Sequence, residues 1–145
     1  MKTRCLIGKI RELSSYLDTQ VSQKIKEANL PILRNHIPLF YILPESGEPV
    51  LFNELASKWQ ISKSSLSDIV TKYEGLGYIK KCDCATDKRS VYLSLTEEAI
   101  RLRKQLYQIE DEILGLCFDD FTSEEREVLE KMIERVLSCE CNHPL

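Results

Sequence analysis

The sequence lacks the features that most enzyme sites need. Its 145 residues include only two histidines, His36 and His143, and contain no glycine-rich phosphate-binding loop and no nucleophile motif. The acidic run 110–112 does not change this, because charged residues on a helix usually form a solvated face. We therefore expect a protein that is not an enzyme and that requires no cofactor.

Long apolar runs are also missing. No stretch approaches the roughly 20 apolar residues of a membrane helix. The N-terminus has basic residues but no apolar core or cleavage site of a signal peptide. With 43% hydrophobic and 30% charged residues, the chain is typical of a soluble protein. We expect a cytoplasmic protein without membrane partners, folded as a single domain over residues 1–145.

The net charge of −3 is unevenly distributed. Residues 58–92 contain seven Lys or Arg and four Asp or Glu, a local charge of +3, and the remainder therefore carries −6. Residues 110–140 alone contain three basic and eleven acidic residues. Because a basic face can meet phosphate while another region is acidic, the overall charge does not exclude a nucleic-acid partner.

Residues 53–95 carry the pattern around which the chain is organised. Helical spacing over Asn53–Trp59 is followed by a polar break at 60–62, and Ser62 is a favourable N-cap for a second helix. Gly75 and Gly77 end that helix. Its apolar positions share one face, and its opposite face is short-chained and mildly basic: Lys63, Ser64, Ser67, Asp68, Thr71 and Lys72. Such a face suits close approach to DNA, although a solvated surface has the same composition.

Two strand-like runs follow the second helix. Residues 78–82 and 90–95 have strand composition, and 83–89 form the connecting tip, which includes Asp87, Lys88 and Arg89. A long basic side chain at such a tip can reach the minor groove. The order predicts a mainly α fold with a small β-hairpin wing, a winged helix-turn-helix over about 50–95.

Long amphipathic helices flank this unit, at about 4–30 and 97–139. The first has an apolar stripe that packs either in the core or on a partner's helix. Thr96 is the predicted N-cap of the helix that follows the wing, and Thr122 opens the last helix in a capping box with Glu125. The last helix has a predicted buried face: Val128, Leu129, Met132, Ile133, Val136 and Leu137.

A shorter apolar segment, 32–43, lies between the first helix and the winged unit. Pro38 interrupts it, so either a helix begins near His36 with Pro38 in its first turn, or a longer helix is kinked there. We favour the first. Trp59 is either a binding aromatic or, as its spacing favours, a core residue, and Cys117 most simply packs as a small core residue.

With these elements in this order, the chain resembles the MarR family of winged helix-turn-helix transcriptional regulators over nearly its whole length. The segments that carry the resemblance are Glu54-Leu55-Ala56, 61–67, 74–79, Asp87-x-Arg89 and 94–97. The resemblance implies an obligate homodimer with interlocking terminal helices, binding double-stranded DNA at a pseudo-palindromic site. It also implies that Arg89 enters the minor groove and that Asp87 stabilises the wing. Five residues of the recognition helix would lie at the DNA surface: Ser62, Lys63, Ser64, Ser67 and Thr71.

Two positions depart from the family pattern. Asp68 stands where many members have a neutral or basic residue; a carboxylate there repels phosphate unless it accepts a hydrogen bond from a cytosine amino group. Phe52 stands where a capping Ser or Thr is usual.

The cysteines leave a second class of function open. Cys5, Cys139, Cys141 and His143 form a candidate zinc or soft-metal site, or a set of redox-active thiols, although reduced cysteines without a role are the simpler interpretation. Cys82 and Cys84 are predicted to share a strand face. His36 is a candidate ligand for a small-molecule effector, or it packs at a helix start.

We expect a DNA-binding transcriptional regulator, more specifically a homodimeric repressor released by a ligand or by a thiol change. The alternatives are a metal or redox sensor, and a winged helix that binds protein instead of DNA, which Asp68 and the overall acidity favour.

Overall fold

The computed structural model describes residues 5–83 and 90–140, and these residues form six α-helices and three strands. The helices are α1 (Leu6–Glu27), α2 (Ile37–Ile42), α3 (Phe52–Trp59), α4 (Lys63–Gly75), α5 (Glu97–Cys117) and α6 (Ser123–Glu140). The strands are β1 (Val50–Leu51), β2 (Ile79–Asp83) and β3 (Val91–Leu95). The chain divides within α5 into two units, Met1–Glu110 and Asp111–Leu145. The predicted mainly helical fold with a hairpin is confirmed, and no described helix is long and apolar enough to cross a membrane.

The sheet lies at the base of the predicted wing. Its three strands are antiparallel in the order β1-β3-β2, with Ile79 opposite Leu95 in the hairpin and Val50 opposite Leu93 at the other edge. The hairpin strands match the prediction to within one residue. The sequence did not predict β1, because two residues are too few to show the alternation of a strand.

The segment between α1 and the winged unit agrees with the favoured alternative. Asn29 adopts a left-handed conformation (φ 54°) after α1, and the Leu30 N–H donates to the Ile25 carbonyl at 3.1 Å. A single 3₁₀ turn, Arg34–His36, then leads into α2, with Pro38 in the first turn of that helix. Proline is tolerated there because the first helical N–H groups have no partner within the helix.

The core of the first unit is built from side chains of α2, α3, α4, β3 and α5. Its fully buried members include Phe40, Leu55, Leu66, Leu93 and Leu106. Trp59 and Cys117, predicted to pack in the core, are only half-buried.

The terminal helices leave much of their apolar surface exposed. In α1, Ile25 is buried, but Leu6 and Ile10 at the other end are 63% and 58% exposed. In α6, the predicted buried face is wrong for the single chain, since Val136 is 69% exposed and Leu129 only half-buried. The short unit Asp111–Leu145 has too few other residues to cover this helix.

Candidate nucleic-acid interface

A tight turn joins α3 to α4. Gln60 has φ 58°, and the Ile61 N–H donates to the Ala56 carbonyl at 3.2 Å, so the chain reverses immediately after α3. The Ser62 hydroxyl then accepts a hydrogen bond from the Ser65 N–H at 3.0 Å, which confirms the predicted N-cap of α4. The two helices form a helix-turn-helix.

The start of α3 differs from the expectation. Phe52 is the first helical residue and Leu51 is the N-cap, without a side-chain cap hydrogen bond. A leucine side chain has no oxygen that could accept a cap hydrogen bond, and pairing of Leu51 with Tyr92 in the sheet fixes the chain where the helix begins.

One face of α4 holds the helix in the core and the other is open. Leu66, Val70 and Tyr73 are buried on the inner face. The six residues predicted to face DNA are all exposed on the outer face: Lys63, Ser64, Ser67, Asp68, Thr71 and Lys72. A helix anchored in this way presents its outer side chains from a rigid support.

The hydroxyl groups on this face are not equivalent. Ser64 and Ser67 make no side-chain hydrogen bond within the described residues, so both can donate and accept. Thr71 donates to the Ser67 carbonyl at 2.9 Å and can only accept further. Ser62, predicted at the DNA surface, donates to the Ser65 hydroxyl at 2.9 Å as well as capping the helix, which commits its side chain to structure.

The charges around α4 are partly neutralised. Lys58 pairs with Glu54 at 3.2 Å and Lys81 pairs with Glu74 at 3.6 Å. Lys63, Lys80 and Asp68 are exposed and form no ion pair within the described residues. Lys63 and Lys80 are therefore available to an anionic partner, whereas Asp68 opposes one.

The exit of α4 sets the position of the hairpin. Gly77 has φ 85°, a conformation that favours glycine, and the Tyr78 N–H donates to the Tyr73 carbonyl at 2.9 Å. Thr96 caps α5 by accepting from the Ala99 N–H at 3.2 Å, as predicted. Only residues 76–78 separate the end of α4 from the start of β2, so this turn positions the hairpin.

The predicted tip of the wing lies outside the described residues, and so do Asp87, Lys88 and Arg89. Their roles stay predictions. The described part of the hairpin presents Lys80 and Lys81 on β2, both exposed. Sequence reasoning did not single these two out, although a pair of basic residues on a strand that leads to the tip was a usable signal.

His36 lies in the turn before α2 and contacts α4. Its Nδ1 lies 2.8 Å from the Tyr73 hydroxyl, and the two rings meet edge to face with centroids 5.5 Å apart. The Leu33 N–H donates to the same hydroxyl at 3.2 Å. Burial first, and then the charge of Lys72, lower the pKa of His36. This packing at a helix start is one of the two roles expected for His36, and its role as an effector ligand stays a prediction.

A second polar link joins α2 to α5 and was not predicted. Arg103 donates from Nη1 to the Leu43 carbonyl at 3.1 Å and from Nε to the Tyr107 hydroxyl at 3.2 Å. Its guanidinium also lies 5.5 Å from the ring centroids of both Tyr41 and Tyr107. Burial, followed by the nearby Glu110 carboxylate, raises the pKa of Tyr41.

The candidate metal site is only partly within the described residues. Cys5 and Cys139 are exposed, whereas Cys141 and His143 lie outside, as does Cys84. In the part of the chain that the structure describes, no three His, Cys, Asp or Glu side chains are grouped to hold a metal ion. The metal or thiol role stays a prediction.

A helix-turn-helix whose second helix is exposed, followed by a β-hairpin, defines a winged helix-turn-helix protein. Residues 31–90 match the model of the MarR family. The chain is 31% identical over 106 residues to the HTH-type transcriptional regulator FarR of Neisseria gonorrhoeae, covering 68% of this chain and 70% of that protein. The chain belongs to the MarR family.

Two further proteins, one compared by sequence and one by structure, are similar to this chain. The HTH-type transcriptional regulator PapX of Escherichia coli is 27% identical over 86 residues, which are 59% of this chain and 52% of PapX, so the chain spans about half of that relative. A crystal structure of a MarR mutant from E. coli complexed with operator DNA superposes with a TM-score of 0.74. It is 17% identical and covers 91% of this chain and 93% of its own, a likeness of fold.

Proposed function

We propose that this protein is a sequence-specific DNA-binding transcriptional regulator that acts in the cytoplasm as a homodimer. Family membership supports the proposal, since the relatives compared above are described as transcriptional regulators. The observation that carries it is the outer face of α4, where exposed polar side chains stand on a helix anchored by Leu66, Val70 and Tyr73. No catalytic role is part of the proposal.

In this proposal α4 is the recognition helix and lies in the major groove. The hydroxyl groups of Ser64 and Ser67, which make no side-chain hydrogen bond within the described residues, can donate to or accept from base edges, and Lys63 in the first turn neutralises phosphate. The fold of the E. coli MarR mutant in its complex with operator DNA supports this docking by analogy.

The hairpin contacts the flanking DNA. Lys80 on β2 is exposed and unpaired within the described residues, and in this proposal it meets a phosphate of the flanking DNA. We assign Arg89 to the minor groove, with Lys88 beside it at the backbone and Asp87 supporting the tip, as the family resemblance implies.

The homodimer would bring two recognition helices to one DNA site. The exposed apolar faces of α1 and of α6 support this assembly, because side chains such as Leu6 and Val136 are costly to leave in water. A twofold dimer places its recognition helices about 34–36 Å apart, in successive major grooves, and so selects a pseudo-palindromic operator.

Repression released by a small ligand or by a thiol change is the regulatory mode that we favour. DNA binding requires one spacing of the two recognition helices. A ligand that binds better at another spacing therefore lowers the affinity for DNA.

Binding should be measured by fluorescence anisotropy on duplexes from the region upstream of the protein's own gene and on random duplexes, over a series of salt concentrations. We expect tight binding to a specific site, with log affinity falling linearly with log salt. Lys63→Ala should weaken binding and reduce the salt slope by about one. Lys104→Ala, an exposed lysine of α5, serves as the control and should match the wild type.

Arg89→Ala tests the wing. We expect this variant to lose affinity chiefly for sites with a narrow minor groove. Equal binding by Arg89→Ala and the wild type would contradict the wing assignment. Absence of any salt-dependent retention on duplex DNA would contradict DNA binding altogether and would favour a protein-binding winged helix.

A further inference from the structure

Tyr73 attaches α4 to the segment that precedes α2. Its side chain is fully buried, and its ring meets the rings of Phe40 and His36 edge to face, each with centroids 5.5 Å apart. Its hydroxyl lies 2.8 Å from His36 Nδ1 and 3.2 Å from the Leu33 nitrogen. A phenylalanine would fill the same space but could make neither of these two polar contacts.

The two hydrogen bonds favour one protonation state of the imidazole. The Leu33 N–H can only donate, so the Tyr73 oxygen accepts from it. The single hydroxyl proton of Tyr73 is then free to be donated to His36 Nδ1, which must be unprotonated to accept it. All three groups are satisfied when His36 is neutral and carries its proton on Nε2.

Protonation of His36 disrupts this arrangement. An imidazolium has an N–H at both ring nitrogens, so Nδ1 becomes a donor and the Tyr73 oxygen would have to accept twice. The hydroxyl proton of Tyr73 then has no acceptor within this network, on a side chain that water does not reach. Either Tyr73 or the His36 turn has to move.

We propose that Tyr73 is a positioning residue for the recognition helix, and that protonation of His36 displaces α4 and weakens DNA binding. The inference rests on the proposed function, because it takes α4 as the DNA-contacting element. The proposed protonation of His36 would make DNA binding depend on pH through buried contacts within one protomer.

The surrounding charges favour the neutral state at pH 7. Lys72 and Tyr73 face the imidazole from α4, and the pKa of His36 is lowered by burial first and by Lys72 second. Asp18 of α1 is paired with Arg34 in the same turn at 3.2 Å, and α2 contributes no charged side chain. Burial also raises the pKa of Tyr73, which keeps the hydroxyl proton in place. The transition therefore lies below the ordinary histidine pKa of 6.5.

The direction in which DNA affinity changes with pH distinguishes this mechanism from a general electrostatic effect. Adding a positive charge to a DNA-binding protein ordinarily strengthens its attraction to phosphate. Displacement of α4 predicts the opposite, a loss of affinity as the pH falls through the His36 transition.

The first experiment needs no DNA. Two-dimensional NMR of ¹⁵N-labelled protein detects the ring nitrogens directly, and because the chain has two histidines, His143→Asn assigns the signals. We expect His36 to carry its proton on Nε2 at pH 7.5 and to titrate below 6.5. The amide signals of Leu33 and of α4 should shift with the same midpoint, and Tyr73→Phe should abolish this coupling. The proposal would be overturned by a proton on His36 Nδ1 at pH 7.5. It would also be overturned if the amide signals of Leu33 and of α4 did not shift as His36 titrates.

The second experiment compares DNA affinity at pH 7.5 and pH 5.5 at constant ionic strength. His36→Asn keeps an acceptor near the Nδ1 position but cannot become a cation. We expect the wild type to lose about fivefold or more in affinity at pH 5.5 relative to His36→Asn. The control Lys104→Ala, an exposed lysine of α5, should show the same pH dependence as the wild type.

Equal pH dependence in the wild type and His36→Asn, or tighter binding by the wild type alone, would overturn the proposal. If no DNA is bound at any pH, the proposed function fails, while the NMR titration still decides whether His36 and Tyr73 are coupled. If Tyr73→Phe does not fold, the wild-type titration and His36→Asn decide the question.

Discussion

The Thr96 hydroxyl donates a hydrogen bond of 2.7 Å to the carbonyl oxygen of Gly77 and so ties the start of α5 to the exit of the recognition helix. The same hydroxyl accepts from the Ala99 N–H at 3.2 Å, and the Thr96 N–H donates to the Tyr78 carbonyl at 3.1 Å. One residue therefore caps a helix and holds the hairpin base against it. This double use separates Thr96 from an ordinary N-cap.

Thr96→Val should cost more stability than a simple cap replacement. Valine keeps the shape of the side chain but removes the hydroxyl, so both the cap and the bond to Gly77 are lost. We expect a loss of about 2 kcal/mol in the free energy of unfolding, measured by urea denaturation at fixed protein concentration.

Thr122→Val is the matched control, because Thr122 accepts from the Glu125 N–H at 3.1 Å but its hydroxyl makes no bond to another element within the described residues. It should lose only about 1 kcal/mol. Equal losses would show that the bond to Gly77 contributes nothing measurable.

The two glycines at the end of α4 should respond oppositely to alanine. Gly77 has φ 85°, which an alanine side chain disfavours, whereas Gly75 is the last helical residue. A Cβ at either position meets no atom within 4 Å, so sterics with neighbours do not differ. We expect Gly77→Ala to destabilise the fold by about 1 kcal/mol and Gly75→Ala to stabilise it by about 0.5–1 kcal/mol. Thermal unfolding of both variants checks this, and the same sign of change in both would contradict the assigned backbone conformations.

Local signals in the sequence were sufficient to predict most helix boundaries. Ser62, Thr96 and Thr122 act as N-caps in the structure as expected, because a cap depends on residues within one turn. The Thr122 capping box is complete, since the Glu125 carboxylate accepts from the Thr122 N–H at 2.9 Å. The outer face of α4 also followed from helical spacing alone.

Features that depend on distant contacts could not be predicted in the same way. β1 exists only because Val50 and Leu51 pair with β3, about forty residues later in the chain. The hydroxyl of Tyr73 links residues 37 and 40 positions away, and its helical spacing showed only that the ring is buried. Helical periodicity predicts a buried face for α6 because it shows which side chains are apolar, but it does not show which surface covers them.

Asp68→Asn should increase affinity for DNA. Asp68 is exposed on the outer face of α4 without an ion pair in the described residues, so its carboxylate repels phosphate. We expect affinity for nonspecific duplexes to rise by about threefold to tenfold at low salt and the gain to fade as salt increases. Asp120→Asn, an exposed carboxylate outside residues 50–95, should have little effect.

The same variant also tests base recognition by Asp68. If the carboxylate accepts from a cytosine amino group, Asp68→Asn should lose about 1–3 kcal/mol of discrimination at one base pair, measured by binding-site selection on random duplexes. Unchanged nonspecific affinity together with unchanged selectivity would show that Asp68 does not face DNA.

Ile133→Asp should dissociate the proposed homodimer without unfolding the protomer. Ile133 is 50% exposed in the single chain, so an aspartate there is tolerated by the protomer but would be buried without a partner in an interface formed by α6. We expect the dissociation constant of the dimer to rise by about 100-fold or more, measured by sedimentation equilibrium. The control Glu134→Asp places an aspartate at the next residue of α6, about 100° around the helix from position 133. This variant should leave the dimer intact. A wild type that is monomeric at every concentration would contradict the homodimer. A dimer that tolerates Ile133→Asp would move the interface away from this face of α6.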